Sequence, residues 1–148
     1  MGEYNVERFI EAQNAPGYGS YKQALSEIKA GRKESHWIWY IFPQHIALGK
    51  SSMNNLYGIK CLDEAKEYYN NDVLRGRLIE ICTALYELST DDPVAVLGIP
   101  DAYKMKSCCT LFKAVDPECK IFGQLLEKYC QGEECVRTLE LLSEEGLR

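Results

Sequence analysis

The sequence predicts an all-α protein: a single compact, orthogonal bundle-like domain of about seven to nine helices over residues 1–148. Three observations support this fold class. Helix-capping residues recur along the chain, apolar residues repeat at spacings of three and four, and neither hairpin dipeptides nor sustained apolar–polar alternation occurs. With 148 residues, 46% of them apolar, the chain is long enough to bury one hydrophobic core.

The N-terminal part of the chain carries two helix-start signals. Asn5 is predicted to cap a first helix and Ser20 a second one, which Gly31 ends. The aromatic run Trp37–Phe42 is short and apolar on all sides, so its pattern fits either a helix or a strand.

Helix-start signals recur in the rest of the chain. Asp63 begins a helical stretch, and Asp72 is predicted to cap a longer helix. Asp92 and Asp116 each precede a proline, which favours the first helical position. The second of these pairs predicts a helix over 117–131, followed by a short closing helix that carries Val136, Leu139 and Leu142.

Charge and hydropathy exclude several classes of partner. The net charge is −5 and no run of Lys and Arg is long enough to follow a phosphate backbone, so general nucleic-acid binding is disfavoured. Residues 1–5 lack the basic and apolar regions of a signal peptide, and no apolar run approaches the ~18 residues of a membrane span. We therefore expect a cytoplasmic protein without a membrane partner.

The cysteine pattern favours free thiols. The number is odd and no Cys-x-x-Cys pair occurs, so we expect neither a disulfide framework nor a metal site, and no cofactor is predicted. The adjacent Cys108 and Cys109 leave two readings open, a thiol sensor or inert core. The seven cysteines are Cys61, Cys82, Cys108, Cys109, Cys119, Cys130 and Cys135.

An ordered series of short motifs resembles the uncharacterised DUF1810 family. The most specific one is the block Ser-His-Trp-x-Trp-x-x-Phe-Pro-Gln at residues 35–44. The resemblance covers nearly the whole chain and implies a helical single domain with no settled activity. Some members are labelled calpastatin, but that inhibitor is a disordered repeat protein and this composition is globular. The other matching segments are 9–13, 21–25, 31–33, 48–51, 63–65, 77–78, 101–112, 132 and 138–139.

The resemblance also sets a direction for function. Such helical domains are distantly similar to proteins that act on ADP-ribose and riboside derivatives. The chain departs from its relatives at two places, where Cys108-Cys109 and Cys135 stand in positions at which relatives tend to have Ser-Met and Asp.

The block 35–44 contains four candidate site residues. His36 is either a hydrogen-bonded core histidine or a general acid or base whose ionisation is tuned by burial against the tryptophans. Trp37 and Trp39 are either core or stacking platforms for a planar base. Gln44 follows Pro43, which fixes the backbone, so its amide is a candidate for polar recognition.

Two further segments carry candidate ligand-binding residues. Gly49 and Ser51 form either a plain capped turn or a turn that binds phosphate. Asp101, Lys104 and Ser107 recur every three residues and so share one helix face, where they are either a solvated ion pair or part of a pocket.

These candidates combine into one hypothesis of a small-ligand pocket between residues 33–51 and the helix that starts at 101. Lys104 and the Gly49 turn hold an anion, Gln44 gives specificity, and His36 performs any proton transfer, while Lys33 is a further candidate ligand-binding residue at the start of the block. A nucleotide or ADP-ribose derivative fits this combination, with N-glycosidic hydrolysis as the enzyme form. The alternative is a non-enzymatic protein-interaction or ligand-binding module in which the aromatic block is core.

Overall fold

The computed structural model describes residues 4–17 and 19–146, and within these ranges it contains ten α-helices and no strand. The all-α prediction is confirmed, with slightly more helices than expected because several are only one or two turns long. The helices are α1 (Glu7–Asn14), α2 (Tyr21–Lys29), α3 (Ile38–Ile41), α4 (Ser52–Tyr57), α5 (Leu62–Asn70), α6 (Asp72–Tyr86), α7 (Pro93–Leu97), α8 (Asp101–Val115), α9 (Lys120–Cys130) and α10 (Val136–Glu144).

Several predicted caps are confirmed. The side chain of Ser20 accepts a hydrogen bond from the backbone of Gln23 at the start of α2, and Asp92 accepts two at the start of α7. The aromatic run 37–42 is helical rather than extended, since Ile38–Ile41 forms α3 and Pro43 follows its end.

Three predicted helix starts are wrong by one to three residues. α1 follows Val6 rather than Asn5, without a side-chain cap. Asn71 rather than Asp72 caps α6, because the Asn71 side chain accepts hydrogen bonds from the backbone N–H groups of Val73 and Leu74. Asp116 caps only a turn through the backbone of Glu118, so α9 begins at Lys120.

Helix α8 lies at the centre of the molecule and packs against α3, α5, α7, α9 and α10. A chain of aromatic rings crosses the core beneath it. Ring centroids are 5.0 Å apart between Phe9 and Tyr68, 5.3 Å between Tyr68 and Phe112, and 6.1 Å between Phe112 and Phe122. These side chains are fully buried and belong to one hydrophobic cluster.

Candidate functional site

Two lysines share one carboxylate where the loop after α2 meets the first turn of α8. The Lys33 Nζ lies 2.8 Å from Asp101 Oδ2, and the Lys104 Nζ lies 3.6 Å from Asp101 Oδ1. All three side chains are largely shielded, with exposures of 7%, 16% and 20% for Lys33, Asp101 and Lys104. Two ammonium groups face a single carboxylate, so one positive charge is left over in a partly desolvated place.

Each of these lysines also lies over a tryptophan. The Lys33 Nζ is 5.0 Å from the Trp37 ring centroid, and the Lys104 Nζ is 5.3 Å from the Trp39 ring centroid. Contacts of this kind attract a cation to the ring face. Trp37 is fully buried, whereas Trp39 is only partly buried, so the Trp39 ring is the one that keeps exposed surface. We call this arrangement the two-lysine site: Lys33, Trp37, Trp39, Gln44, Asp101 and Lys104.

Gln44 and Lys104 line the same narrow cleft, together with Trp39. The cleft encloses about 190 Å³ of empty space, and no water-sized sphere fits in it, so the site is closed in this structure. Gln44 is buried, and its amide donates to Asn54 Oδ1 at 3.3 Å. The remaining lining residues are Phe42, Asn54 and Gly58.

Gly49 and Ser51 position the wall of this cleft and do not line it. Ser51 caps α4 by accepting a hydrogen bond from the Asn54 backbone. A Cβ at Gly49 would lie 2.8 Å from the Asn54 side chain, so glycine is what lets Asn54 pack there. Asn54 in turn donates to the Ile46 carbonyl at 2.8 Å. The Ser51 hydroxyl is occupied by the cap, which favours the plain capped turn.

His36 and Ser107 lie away from the two-lysine site. His36 is exposed and borders a different depression with Gly19, Glu34 and Ser35. The burial against the tryptophans on which its expected role depends is therefore absent, because His36 is exposed. Ser107 faces Cys135, since its Oγ lies 3.4 Å from the Cys135 Sγ.

Sequence reasoning missed Glu27, the residue that holds the loop of the two-lysine site. This carboxylate is 4% exposed and accepts hydrogen bonds from the backbones of Glu34 and Ser35, the Ser35 hydroxyl, the Trp37 indole and the Gln23 amide. Burial alone would raise its pKa, but these hydrogen bonds outweigh burial and lower the pKa to about 2. The signal was present, because Glu27 lies beside Ala24 and Ile28 on the buried face of α2.

Sequence reasoning also missed a second buried carboxylate, that of Glu64. Its side chain is fully buried and its Oε2 lies 2.6 Å from Arg8 Nη1, which joins α1 to α5. Arg8 also donates to the carbonyls of Leu56 and Gly58, so this ion pair fixes the segment behind the cleft.

Within residues 4–17 and 19–146, no three His, Cys, Asp or Glu side chains come together in a way that could hold a metal ion. None of the helices in those ranges has the length and apolar character to cross a membrane.

Comparison with known proteins gives one family and one solved structure. The family model described as "Protein of unknown function (DUF1810)" matches residues 3–142. The crystal structure of the conserved hypothetical protein Rv1873 from Mycobacterium tuberculosis is 35% identical, with a TM-score of 0.90 over 96% of this chain and 99% of that one. Among curated proteins, none matches the sequence significantly.

Proposed function

We propose, from the premise that this chain belongs to the DUF1810 family of proteins of unknown function, that it binds a small anionic ligand at the two-lysine site. The observation that carries this proposal is the pair of shielded ammonium groups, Lys33 and Lys104, which share the single carboxylate of Asp101. Among the described residues, no second carboxylate lies within 4.0 Å of either ammonium group. An anion is the partner that would balance the remaining charge.

A nucleotide or ADP-ribose derivative is the ligand class that suits the surrounding groups. The Lys104 ammonium covers the accessible face of Trp39 in the closed cleft. If Lys104 turns toward a phosphate, the face of Trp39 becomes free to stack on a base. The buried Gln44 amide, which now donates to Asn54, then has a polar edge of the base within reach. Binding therefore requires the cleft to open.

The proposal is binding, without hydrolysis of an N-glycosidic bond. The residue expected to transfer a proton, His36, borders another depression. Asp101 is engaged by both lysines, so its carboxylate is already committed to holding the site together.

The test is a thermal-shift titration with pyrophosphate, adenosine, ADP and ADP-ribose on the wild-type chain. A ligand at 100 times its Kd adds about 2.7 kcal/mol to the free energy of unfolding, and this raises the Tm by several degrees in a protein of this size. We expect ADP or ADP-ribose to raise the Tm more than pyrophosphate or adenosine alone, together with a change in tryptophan fluorescence from Trp39.

Lys104→Ala is the informative variant, and Lys106→Ala is its matched control. Both lysines are on α8, with similar side-chain exposures of 20% and 23%, and Lys106 pairs with Glu133 at 3.5 Å outside the cleft. We expect Lys104→Ala to abolish the shift while Lys106→Ala keeps it. If no probe shifts the wild type, or if both variants respond as the wild type does, the proposed site is wrong.

A further inference from the structure

One short segment of the chain, residues 44–59, supplies half of the lining of the closed cleft. Its lining residues are Gln44, Asn54 and Gly58. The ends of the segment are paired with each other, because the Ile59 N–H donates to the Gln44 carbonyl at 2.9 Å and the Ile46 N–H donates to the Ile59 carbonyl at 2.8 Å. We call residues 44–59 the cleft wall. Since no water-sized sphere fits in the cleft, a base needs room that outward motion of this wall would supply.

His45 connects the cleft wall to the end of α10, 100 residues further along the chain. Its side chain is 6% exposed, and its Nε2 lies 2.8 Å from Glu145 Oε2. The Ala47 backbone N–H donates to His45 Nδ1 at 3.1 Å, so Nδ1 is the ring nitrogen without a proton. Nε2 therefore carries the proton and donates it to the Glu145 carboxylate. The ring is fixed on both sides, by its own segment and by α10.

The second oxygen of Glu145 is also engaged, at the start of α5. Glu145 Oε1 accepts a hydrogen bond from the Leu62 backbone N–H at 2.7 Å. Cys61, the residue before α5, provides no side-chain cap, so the carboxylate accepts from one of the N–H groups that a helix leaves free at its first turn. Both bonds are made to a charged acceptor, which strengthens them. Glu145 thus joins the cleft wall, α5 and α10 through a single carboxylate.

The helix that carries Glu145 is held by few buried side chains. Glu145 follows α10 directly, and its backbone N–H donates to the carbonyls of Leu141 and Leu142 at 3.2 Å. α10 packs against α8, and three of its nine residues are buried: Thr138, Leu141 and Leu142. Because segments with few buried apolar contacts open at a lower free energy than the core, the contact between Glu145 and the cleft wall can break while the core stays folded.

We propose that Glu145 is an autoinhibitory strap on the two-lysine site. While its carboxylate bridges His45 and Leu62, the cleft wall stays closed; when these hydrogen bonds break, the wall moves outward and the cleft admits an anionic ligand. The inference rests on the proposed function for its ligand, whereas the motion of the wall is independent of any ligand. Because only molecules in the open form bind, a strap that favours the closed form lowers the apparent affinity for the ligand.

Glu145→Gln is the variant that releases the strap, and Glu144→Gln is its matched control. A glutamine amide offers one oxygen in place of two, so either Leu62 or His45 loses its acceptor and meets an NH₂ group instead. Glu144 is the preceding residue, its side chain is 66% exposed, and it lies 3.5 Å from Arg137. Its replacement removes the same charge without touching the cleft wall.

The experiment measures amide hydrogen exchange of the full-length chain by NMR, with no ligand present. We expect the Ile46 and Ile59 amides to exchange on the order of tenfold faster in Glu145→Gln, since a hydrogen bond to a charged group shifts an equilibrium by about that factor. In Glu144→Gln they should exchange as in the wild type. The buried Leu125 on α9 should keep its exchange rate in every variant. Unchanged exchange of Ile46 and Ile59 in Glu145→Gln, or equal acceleration at Leu125, would overturn the proposal.

His45→Asn tests the same contact from the cleft wall. Asparagine keeps an oxygen that accepts from the Ala47 N–H two residues on, but its side chain is too short to reach Glu145. We expect His45→Asn to accelerate exchange at Ile59 as much as Glu145→Gln does, and the double variant to add nothing to either single one. Fully additive effects would contradict the strap, because the two residues would then act independently.

Titration with ADP distinguishes the strap from the proposed function. If the two-lysine site binds ADP, Glu145→Gln should bind it several-fold tighter than the wild type and Glu144→Gln, whereas damage to the cleft would weaken binding. Equal or weaker binding by Glu145→Gln overturns the autoinhibitory role. If neither the wild type nor Glu145→Gln binds ADP, the proposed function fails, and the exchange rates of Ile46 and Ile59 decide by themselves whether Glu145 holds the cleft wall.

Discussion

Glu27→Gln should remove an acid-sensitive part of the stability of this protein. The Glu27 carboxylate accepts five hydrogen bonds, three at Oε1 and two at Oε2. A carboxyl group whose pKa falls from 4.5 to about 2 on folding contributes about 3 kcal/mol to the free energy of unfolding. Because the folded pKa is the lower one, this contribution is complete above pH 4.5 and is lost as the pH falls toward 2.

The assay is urea unfolding of the wild type and Glu27→Gln at several pH values between 7 and 2. At pH 7 the variant should be about 3 kcal/mol less stable, since a neutral amide accepts more weakly and one of its atoms cannot accept at all. The difference between the two proteins should shrink steadily below pH 4.5. Glu11→Gln is the control, because Glu11 is an exposed glutamate of α1 and its loss removes the same charge. If the difference between wild type and Glu27→Gln is the same at pH 7 and pH 2, the hydrogen-bonded carboxylate is not the source of the stability.

Two pairs of variants test the packing around the two-lysine site, each by denaturant unfolding. Trp37→Ala should lower the free energy of unfolding by about 3–5 kcal/mol because Trp37 is fully buried. Trp39→Ala should lower it by less than half as much because the Trp39 ring is partly exposed. Equal losses of stability would contradict the assignment of Trp39 as the more exposed ring. Gly58→Ala should cost about 3 kcal/mol because its Cβ would lie 2.6 Å from backbone atoms of Asn54 and Ile46. Gly76→Ala should instead stabilise α6 by about 0.5–1 kcal/mol, because no atom lies within 4 Å of the position that the added Cβ would take. If Gly58→Ala also stabilised the protein, the cleft wall would not be tightly packed.

The helical fold was predictable because its signals are local. Ser20 and Asp92 each accept hydrogen bonds from backbone N–H groups two or three residues away, so a short stretch of sequence is enough to predict these caps. The start at Asp72 was misplaced because the neighbouring Asn71 takes the cap of α6, and only the folded backbone decides between two adjacent capping side chains. The start at Asp116 was misplaced because its carboxylate caps a turn, after which α9 begins without a side-chain cap. Family membership was also predictable, since the block 35–44 is specific.

The candidate site was only partly predictable, because it depends on side-chain direction and long-range contacts. Helical spacing placed Asp101 and Lys104 together correctly. The same spacing put Ser107 on their face, but two turns of α8 rotate Ser107 far enough for it to meet Cys135. The block 35–44 gave no sign that His36 turns outward, because that orientation follows from the hydrogen bonds of its neighbours to Glu27.

Glu27 and the two-lysine site form one connected structure. The carboxylate on α2 fixes the backbone of Glu34 and Ser35 and the ring of Trp37. The Ser35 carbonyl in turn accepts a hydrogen bond from the Lys33 ammonium at 2.5 Å, while the Lys33 backbone donates to Val96 at 2.7 Å, close to the start of α8.

Lys33 is thus held from both sides, whereas the contacts of Lys104 with the described residues are the longer one of 3.6 Å to Asp101 and the one with the face of Trp39. A rigid cation beside a movable one is suited to a cleft that must open, because the rigid one sets the position of the anion while the movable one uncovers the ring. If the proposed anion binding is correct, this division of roles predicts that Lys104 moves to admit the ligand while Lys33 keeps its position.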